Sequence, residues 1–291
     1  MATKDHQSEP IESASETLQR IFDGHGSVLG SQMADESSRY DVLKKTDFPK
    51  PQRTRRIAVA NQKGGVGKTT STVNTAAALA NKGAQVLVID MDPQGNASTA
   101  LGVSHASGEP SVYDVIEGRS DLGDVITVCP DFPKLDVVPA SIDLSGAELE
   151  VADLPNRNTL LKEALDLYLR QSDKHYDYVF IDCPPSLGLL VINAMCAVTE
   201  MLIPIQAEYY ALEGLGQLIN TIGLVQEHFN PVLLVSTIPR SVKISEAPSF
   251  SQSVIAYDPR GIGAISYGEA ALEIAQRSQQ VLDTIDARRN K

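Results

Sequence analysis

A glycine-rich segment with two lysines, K-G-G-V-G-K-T-T, occupies residues 63–70. It directly follows the apolar run 57–60 and directly precedes 71–80, a stretch compatible with a helix. Glycines permit backbone conformations that are closed to residues with a Cβ, so successive N–H groups can turn inward and form an anion-binding nest at a helix N-terminus. The segment therefore predicts a strand, a phosphate-binding loop and a helix in that order.

Individual positions of this P-loop have predicted tasks. Lys68 has the spacing of the lysine that reaches the β and γ phosphates of a nucleotide, and the Thr69 hydroxyl lies where a Mg²⁺ ligand is needed. Lys63 precedes the first glycine, where an ordinary P-loop needs no lysine. It is either a solvated surface lysine or a second cation that reaches phosphate oxygens across a dimer, as an arginine finger does. The residues predicted to bind the nucleotide are Lys63, Gly64, Gly65, Val66, Gly67, Lys68, Thr69 and Thr70.

Two later segments have the pattern of buried strands that end in a carboxylate. Q-V-L-V-I-D at 85–90 precedes Asp92, and Y-V-F-I-D at 178–182 precedes C-P-P. Carboxylates at the carboxyl ends of parallel strands face the ligand crevice of an open α/β sheet. Because Mg²⁺ keeps several waters and binds few carboxylates directly, Asp182 is predicted to hold the Mg²⁺ shell through water. Asp92 has an alternative interpretation as a turn residue before Pro93.

The loop and the two acidic strand ends resemble the deviant Walker A motif and its partners in the ParA/MinD group of P-loop ATPases. Asn61-Gln62, before the loop, is similar to the ParA/Soj chromosome-partitioning branch. Three more stretches are similar to that branch: D-C-P-P-S-L-G-L-L at 182–190, E-Y-Y-A-L-E-G at 208–214, and I-P-R-S-V-K-I-S-E-A-P-S at 238–249. The resemblance extends from about Arg56 to near the C-terminus.

This resemblance implies slow, Mg²⁺-dependent hydrolysis of ATP. It also implies an ATP-dependent homodimer that binds DNA nonspecifically and is stimulated by a ParB-like DNA-binding protein, with no membrane binding. Asp92 would help to position or activate the attacking water, and Asp90 would lie near the metal. Arg240 and Lys243 inherit a role in contacting DNA phosphates, although they are alternatively ordinary surface cations. The implied catalytic residues are Lys63, Lys68 and Asp92, and the implied metal-site residues are Thr69, Asp90 and Asp182.

The overall charge constrains any contact with DNA. The 291 residues carry a formal net charge of −12, and the hydrophobic and charged fractions, 42% and 21%, are ordinary for a soluble protein. Sequence-independent DNA affinity comes from neutralised phosphates, so tight binding by a monomer is disfavoured and a local patch built from two subunits is expected. Three cysteines without a C-x-x-C pair, and no recognisable signal peptide or spanning segment, predict a cytoplasmic protein, and the family resemblance implies that it is associated with the nucleoid.

The pattern along the chain predicts a mostly disordered N-terminal arm, 1–55, and a ParA-like P-loop ATPase domain, 56–291. Alternating strands and helices in the domain predict a three-layer α/β fold, with a mainly parallel sheet covered by helices on both faces. Arg53, Arg55 and Arg56 before the first strand favour a solvated linker over a contact with DNA or a partner. The predicted strands are 57–60, 85–90, 135–139, 178–182, 201–204 and 232–236, and the predicted helices are 11–22, 69–81, 159–171, 186–198, 212–228 and 267–284.

The sequence departs from the family pattern after Phe229. There the family has a complete strand, a loop, a helix and another strand before I-P-R, whereas this chain reads N-P-V-L-L-V-S-T-I-P-R. About thirty residues, the size of one strand-helix unit, are missing near Ser236–Ile238. We expect a narrower sheet or exposed apolar surface, and weaker nonspecific DNA affinity because the absent loop holds an arginine that the family uses for DNA.

Three other functions compete with a partition ATPase. A membrane-cycling division regulator like MinD needs a basic amphipathic C-terminal helix, and the last nine residues, D-T-I-D-A-R-R-N-K, offer too little apolar face. A relative of the nitrogenase iron protein needs cluster cysteines that Cys129, Cys183 and Cys196 do not resemble. A scaffold with a relic nucleotide pocket is disfavoured by the intact loop and acidic residues.

Overall fold

The computed structural model describes residues 28–206 and 233–277. The chain divides into two compact units, Met1–Thr46 and Asp47–Lys291. The predicted boundary between arm and ATPase domain, at residue 55, stays a prediction.

The first unit contains an 18-residue helix, α1, Val28–Lys45. Its last turn carries Lys44 and Lys45, whose charges are favourable at the carboxyl end of a helix dipole. Both the backbone N–H and the hydroxyl of Thr46 donate to the carbonyl of Val42, at 3.0 and 2.8 Å, and so end the helix. The sequence prediction did not include α1, because its residues carry no regular apolar stripe. The predicted helix at 11–22 lies outside the described residues.

Six strands of the second unit form one sheet in the order β3-β4-β2-β5-β1-β6. Neighbouring strands are parallel, except that β3 is antiparallel to β4. The sheet is therefore mainly parallel, as predicted. The strands are β1, Arg55–Val59; β2, Val86–Asp90; β3, Thr127–Val128; β4, Leu135–Val138; β5, Tyr178–Asp182; and β6, Glu200–Leu202.

Nine α-helices of the second unit lie in the part of the chain that the structure describes, and four of them come directly after a strand. Two short 3₁₀ helices, Leu122–Val125 and Ala247–Phe250, accompany them. The helices are α2, Lys68–Asn81; α3, Asn96–Ala100; α4, Val112–Ile116; α5, Leu144–Glu150; α6, Leu160–Gln171; α7, Leu189–Ala197; α8, Val242–Glu246; α9, Val254–Tyr257; and α10, Ile262–Gln276.

Helices cover both faces of the sheet and create two separate hydrophobic cores. On one face, Ile57 and Val59 of β1 pack with residues of α2 and α10. On the other face, Ala58 of β1 packs with residues of α6 and α7. Because both faces are buried, the strands are continuous apolar runs rather than alternating ones. The predicted three-layer α/β arrangement is confirmed.

The predicted elements agree with the structure where strands are long and buried. Five of the six predicted strands are present with boundaries shifted by at most two residues, and Tyr178–Asp182 matches its prediction without a shift. The sixth, at 232–236, is not a strand over the described residues 233–236. The last helix begins at Ile262 rather than 267, and the predicted helix at 212–228 lies outside the described residues. Strand β3 was missed because a two-residue antiparallel edge strand has no periodicity to detect.

The edge of the sheet at β6 and the exposed segment that begins at Leu233 are the places where the missing strand-helix unit is expected to have an effect. Among the described residues, β6 pairs only with β1. Leu233 and Val235, which the sequence predicts to lie in a strand, are each 85% exposed. Two apolar side chains at adjacent outward positions agree with the expected exposure of apolar surface.

Two of the three arginines before the P-loop, Arg55 and Arg56, are not part of a solvated linker, whereas Arg53 is exposed. Arg55 is only 5% exposed and pairs with Glu200 of β6, while Arg56 pairs with Asp166 of α6. Both residues belong to β1 rather than to a linker. The predicted solvated linker is therefore wrong for Arg55 and Arg56, because each guanidinium is paired with a carboxylate of another element.

Candidate nucleotide-binding and active site

The P-loop joins β1 to α2 and has the geometry that its glycines permit. Gly65 and Gly67 have φ angles of +72° and +91°, a region that residues with a Cβ rarely adopt. Gly67 directly precedes α2, so the turn ends where the helix N–H groups are unpaired. Gly64 does not have a positive φ, so its predicted need for a left-handed conformation is not met in this structure.

Two amide side chains hold the loop against its surroundings. Asn61 accepts from the backbone N–H of Lys63 at 3.1 Å and donates to the carbonyl of Pro204 at 2.9 Å. Gln206 donates to the carbonyl of Gly65 at 2.9 Å. The segment after β6 therefore fixes both the entry and the middle of the P-loop.

The two lysines of the motif occupy different environments. Lys68 is 7% exposed, and its Nζ lies 3.4 Å from the carbonyl oxygen of Lys63, so it reaches across the loop. Lys63 is exposed at the loop surface. This arrangement separates a lysine that faces the loop interior from one that faces outward.

Asp182, at the end of β5, is held by two threonines of α2. Its carboxylate accepts from the hydroxyls of Thr69 and Thr72, at 2.7 and 2.8 Å. Thr69 is the predicted Mg²⁺ ligand, so the structure brings two of the three predicted metal-site residues, Thr69 and Asp182, into contact. Thr72 was missed by the sequence prediction, although its position three residues after Thr69 places both hydroxyls on the same face of a helix.

Asp90, at the end of β2, is opposite Asp182 in the sheet register. One of its carboxylate oxygens accepts from the backbone N–H of Asp92 at 3.2 Å. The other accepts from the backbone N–H and the hydroxyl of Ser98, at 2.9 and 2.8 Å. Asp90 is fully buried, and both of its carboxylate oxygens accept hydrogen bonds from residues that follow β2. These contacts indicate that it fixes the loop after β2, and its predicted place at the metal stays a prediction.

Asp92 lies in a turn between β2 and α3. Its Oδ1 accepts from the backbone N–H of Gln94 at 3.0 Å, and its carbonyl accepts from the N–H of Gly95 at 2.9 Å. Asp92 is only 8% exposed. The turn before α3 is present, as the alternative interpretation of Asp92 required, and the charge of Asp92 also contributes to the raised pKa of Asp182.

The acidic groups at the strand ends have raised pKa values. Burial raises the pKa of Asp182 to about 8, with the charge of Asp90 as the next cause, against the hydrogen bonds from Thr69 and Thr72. Burial likewise raises the pKa of Asp90 to about 6. Removal from water disfavours the ionised form, and neighbouring negative charges add to that effect. A cation bound beside Asp182 and Asp90 would have the opposite effect, because positive charge favours the ionised carboxylates and lowers their pKa values.

The donor set suits Mg²⁺ better than a transition metal. Thr69 and Asp182 offer a hydroxyl and a carboxylate, which are hard oxygen ligands. Within the described residues, no group of three or more His, Cys, Asp or Glu side chains has the arrangement of a metal cage. Mg²⁺ bound by few protein groups, with waters and nucleotide phosphates as its other ligands, fits this set.

The predicted DNA-contacting residues lie apart from the strand ends in sequence. Arg240 is exposed on the segment before α8, and Lys243 is exposed on α8. Lys243 forms an ion pair of 2.9 Å with Glu246, and its ammonium lies 5.4 Å from the ring centroid of Tyr257. Both cations are accessible, as a phosphate contact requires.

Comparison with known proteins identifies the family. A family model described as an AAA domain matches residues 54–235. Protein Soj of Bacillus subtilis, a sporulation initiation inhibitor, is 44% identical over 251 residues, covering 75% of this chain and 97% of Soj. The chromosome-partitioning protein ParA of Caulobacter vibrioides is 40% identical, covering 77% of this chain and 94% of that protein. The chain belongs to the ParA/Soj family. This ParA/Soj protein is a P-loop ATPase of the chromosome-partitioning type.

Solved structures agree with this assignment. Cobyrinic acid a,c-diamide synthase from Mycobacterium smegmatis, with bound ADP and magnesium, matches with a TM-score of 0.63 at 34% identity, covering 78% of this chain and 96% of that chain. MinD from Pyrococcus horikoshii with Mg-ADP matches with a TM-score of 0.60 at 25% identity, covering 77% and 95%. ATP and Mg²⁺ are the cofactors of the ParA/Soj protein. The helices that the structure describes include none with the length and hydropathy of a membrane span.

The alignment with Soj also supports the missing strand-helix unit. An alignment of 251 positions that covers 75% of the 291 residues uses about 218 of them. About 33 positions, the difference between 251 and 218, therefore have no counterpart in this ParA/Soj protein. This number agrees with the thirty or so residues that the sequence pattern predicts to be absent.

Proposed function

We propose that this partitioning ATPase dimerises when it binds ATP, binds DNA nonspecifically as a dimer, and is stimulated to hydrolyse ATP by a ParB-like DNA-binding protein. It would act in the cytoplasm, associated with the nucleoid. Hydrolysis would end the dimer and release the DNA. The proposed partner class is taken from the family, since several of its relatives are named for chromosome partitioning.

The observation that carries this proposal is the separation of the two P-loop lysines. Lys68 is buried against the loop, whereas Lys63 is exposed although its backbone N–H is fixed by Asn61. Because the backbone of Lys63 is held by Asn61 and its side chain is exposed, its ammonium group is suited to reach the nucleotide of a second subunit. Positive charge supplied in this way stabilises the negative charge of the transferring phosphoryl group, as an arginine finger does.

The remaining site residues have complementary proposed roles. Lys68 would neutralise the β and γ phosphates, and the N–H groups from Gly64 to Thr70 would bind phosphate oxygens. Thr69 and Asp182 would hold Mg²⁺, which stabilises charge on those oxygens when bound. Asp92 would orient the attacking water with the carboxylate oxygen that does not accept from Gln94.

Lys63→Ala is expected to abolish ATP-dependent dimerisation while leaving nucleotide binding by the monomer. Light scattering after size exclusion, with a nonhydrolysable ATP analogue and Mg²⁺, would give a monomer mass for the variant and a dimer mass for the wild type. Turnover would fall about 100-fold, because an in-trans cation is worth at least that much. Lys134→Ala, an exposed lysine at the opposite end of the sheet, is the matched control. A Lys63→Ala protein that dimerises and turns over normally would refute the mechanism.

Arg240→Ala and Lys243→Ala are each expected to weaken DNA binding uniformly across sequences. Each variant should also reduce the slope of log affinity against log salt by about 1, because one phosphate contact is lost. Glu246→Gln should have the opposite effect on affinity, since the exposed ion pair with Lys243 would no longer compete with phosphate. Fluorescence anisotropy with ATP, over several salt concentrations, measures all three. Unchanged slopes would show that these cations are ordinary surface residues.

A further inference from the structure

His105 lies directly over the glycine that ends the Asp92 turn. Gly95 has a φ angle of +62°, and a Cβ built on it would be 2.5 Å from Nδ1 and 2.6 Å from Cε1 of His105. Real Cβ atoms do not approach other atoms this closely. The imidazole therefore occupies the space that any side chain at position 95 would need.

The same imidazole is bonded to the helix that follows the turn. Nε2 of His105 and Oγ1 of Thr99 are 2.8 Å apart, a hydrogen bond whose direction depends on the tautomer. The ring thus bridges Gly95, just before α3, and Thr99, within α3. A displacement of one relative to the other would break this bond or the packing.

The loop that carries His105 is itself fixed on both sides. Glu109 accepts from the hydroxyl of Ser104 at 2.6 Å and from the N–H of Ala106 at 3.1 Å. Asp143, before α5, accepts from the hydroxyl of Ser107 and the N–H of Gly108, at 3.0 and 3.2 Å. His105 is therefore presented by an anchored loop rather than by a free one.

Asp90 and His105 contact opposite sides of the turn that contains Asp92. Its inner side is held by Asp90, which accepts from Asp92 and Ser98, and Ser98 in turn accepts from the N–H of Ala140 at 3.2 Å. Its outer side is Gly95, whose N–H donates to the carbonyl of Asp92. The carbonyl of Gly95 accepts from the N–H of Thr99 at 2.9 Å, so Gly95 joins the turn to α3, and His105 packs against Gly95 at this junction.

We propose that His105 is a positioning residue for ATP hydrolysis, which holds the Gly95 end of the turn and so fixes the Asp92 carboxylate. The inference rests on the proposed role of Asp92. It concerns the chemical step, because the P-loop that binds the nucleotide is held separately by Asn61 and Gln206. A carboxylate displaced by about 1 Å orients water poorly, and such displacements cost up to about 100-fold in rate.

His105→Ala is therefore expected to lower kcat about tenfold and to change KM for ATP by less than about twofold. His105→Gln, whose side-chain amide can reach Thr99 in place of Nε2, should recover most of the loss. His175→Ala, at an exposed histidine before β5, is the control that should behave as wild type. Steady-state turnover with excess MgATP measures kcat and KM. A His105→Ala kcat within about twofold of wild type, or a His105→Gln loss equal to that of His105→Ala, would overturn the proposal.

Gly95→Ala gives an independent test through a double-mutant cycle. The new methyl group would expel the imidazole, so Gly95→Ala should lose at least as much kcat as His105→Ala. Adding His105→Ala to Gly95→Ala should then cost less than about twofold more, because the contact is already lost. If the double variant instead loses about 100-fold in kcat, the product of the two single losses, then Gly95 and His105 act independently and the proposal is contradicted. If Gly95→Ala does not fold, judged by circular dichroism, the His105 variants alone decide.

Asp92→Asn distinguishes this inference from the one on which it rests. If Asp92→Asn leaves kcat unchanged, the catalytic role of Asp92 fails whatever His105 does. If Asp92→Asn loses turnover but His105→Ala does not, only the role of His105 fails. Calorimetric binding of a nonhydrolysable ATP analogue with Mg²⁺ should be retained in both variants, which separates a fault in chemistry from a fault in binding.

Discussion

Asp182→Asn is expected to raise the thermal stability of the nucleotide-free protein while lowering Mg²⁺-dependent turnover at least about 100-fold. Asp182 is fully buried, lies opposite Asp90 and has a pKa raised to about 8. Its ionised form is therefore costly in the folded protein when no cation is present. Asparagine removes that cost but also removes the negative charge that Mg²⁺ needs.

The pH dependence of stability follows from the same shift. Between about pH 4 and about pH 8 the folded protein holds a proton on Asp182 that the unfolded chain has already released. Because the folded state binds more protons there, the free energy of unfolding falls as pH rises through this range. The melting temperature of the nucleotide-free wild type should drop from about pH 6 to about pH 8.5, and Asp182→Asn should show a shallower decline.

A matched control lies at the other end of the same strand. Asp177, just before β5, accepts from the N–H of Gln85 and pairs with Lys50 at 3.2 Å. Asp177→Asn should lower the melting temperature, because it removes the ion pair with Lys50, and should leave turnover unchanged. Differential scanning fluorimetry and a phosphate-release assay measure both variants. Wild-type turnover by Asp182→Asn, or a melting temperature of Asp182→Asn below that of the wild type at about pH 8.5, would contradict the expectation.

The fold and the centre of the site were predictable from sequence because both depend on local chemistry. The P-loop needs glycine at 65 and 67 for a left-handed backbone, and that requirement is visible in one chain. Strands buried on both faces are continuous apolar runs, so Tyr178–Asp182 was placed correctly together with its terminal carboxylate. Thr69 and Asp182 are 113 positions apart, yet the order of elements brings them together.

What the sequence did not predict depends on contacts between distant segments. Nothing near Asn61 or Gln206 shows that their amides join the P-loop to the segment after β6, since Asn61 donates to Pro204 and Gln206 to Gly65, both far away in sequence. The role of Ser98 in binding Asp90 and Ala140 depends on the adjacency of β2 and β4. His105 carries no motif, and only the packing of its loop shows that it covers Gly95. Such residues become visible only when the fold specifies their neighbours.

Arg55→Ala is expected to destabilise the protein by about 3–5 kcal/mol, the usual cost of removing one partner from a buried ion pair. Arg55 donates to both carboxylate oxygens of Glu200, at 2.8 and 2.5 Å, and to the carbonyl of Ile274 at 2.5 Å. The guanidinium thus joins β1, β6 and α10. Alanine would leave the carboxylate of Glu200, only 15% exposed, without its cation. Urea denaturation measures the loss as a lower midpoint at unchanged slope.

The neighbouring arginine supplies the control for that prediction. Arg56 pairs with Asp166, but both side chains are more than 20% exposed, so Arg56→Ala should cost no more than about 1 kcal/mol. Arg55→Met combined with Glu200→Leu should recover most of the stability lost in Arg55→Ala, because apolar side chains of similar volume replace a buried pair well. Equal losses of stability in Arg55→Ala and Arg56→Ala would mean that the buried ion pair with Glu200 contributes no more than the more exposed pair with Asp166. A double variant as unstable as Arg55→Ala would instead make the bond to Ile274 the main contribution, and α10 rather than β6 the element that Arg55 secures.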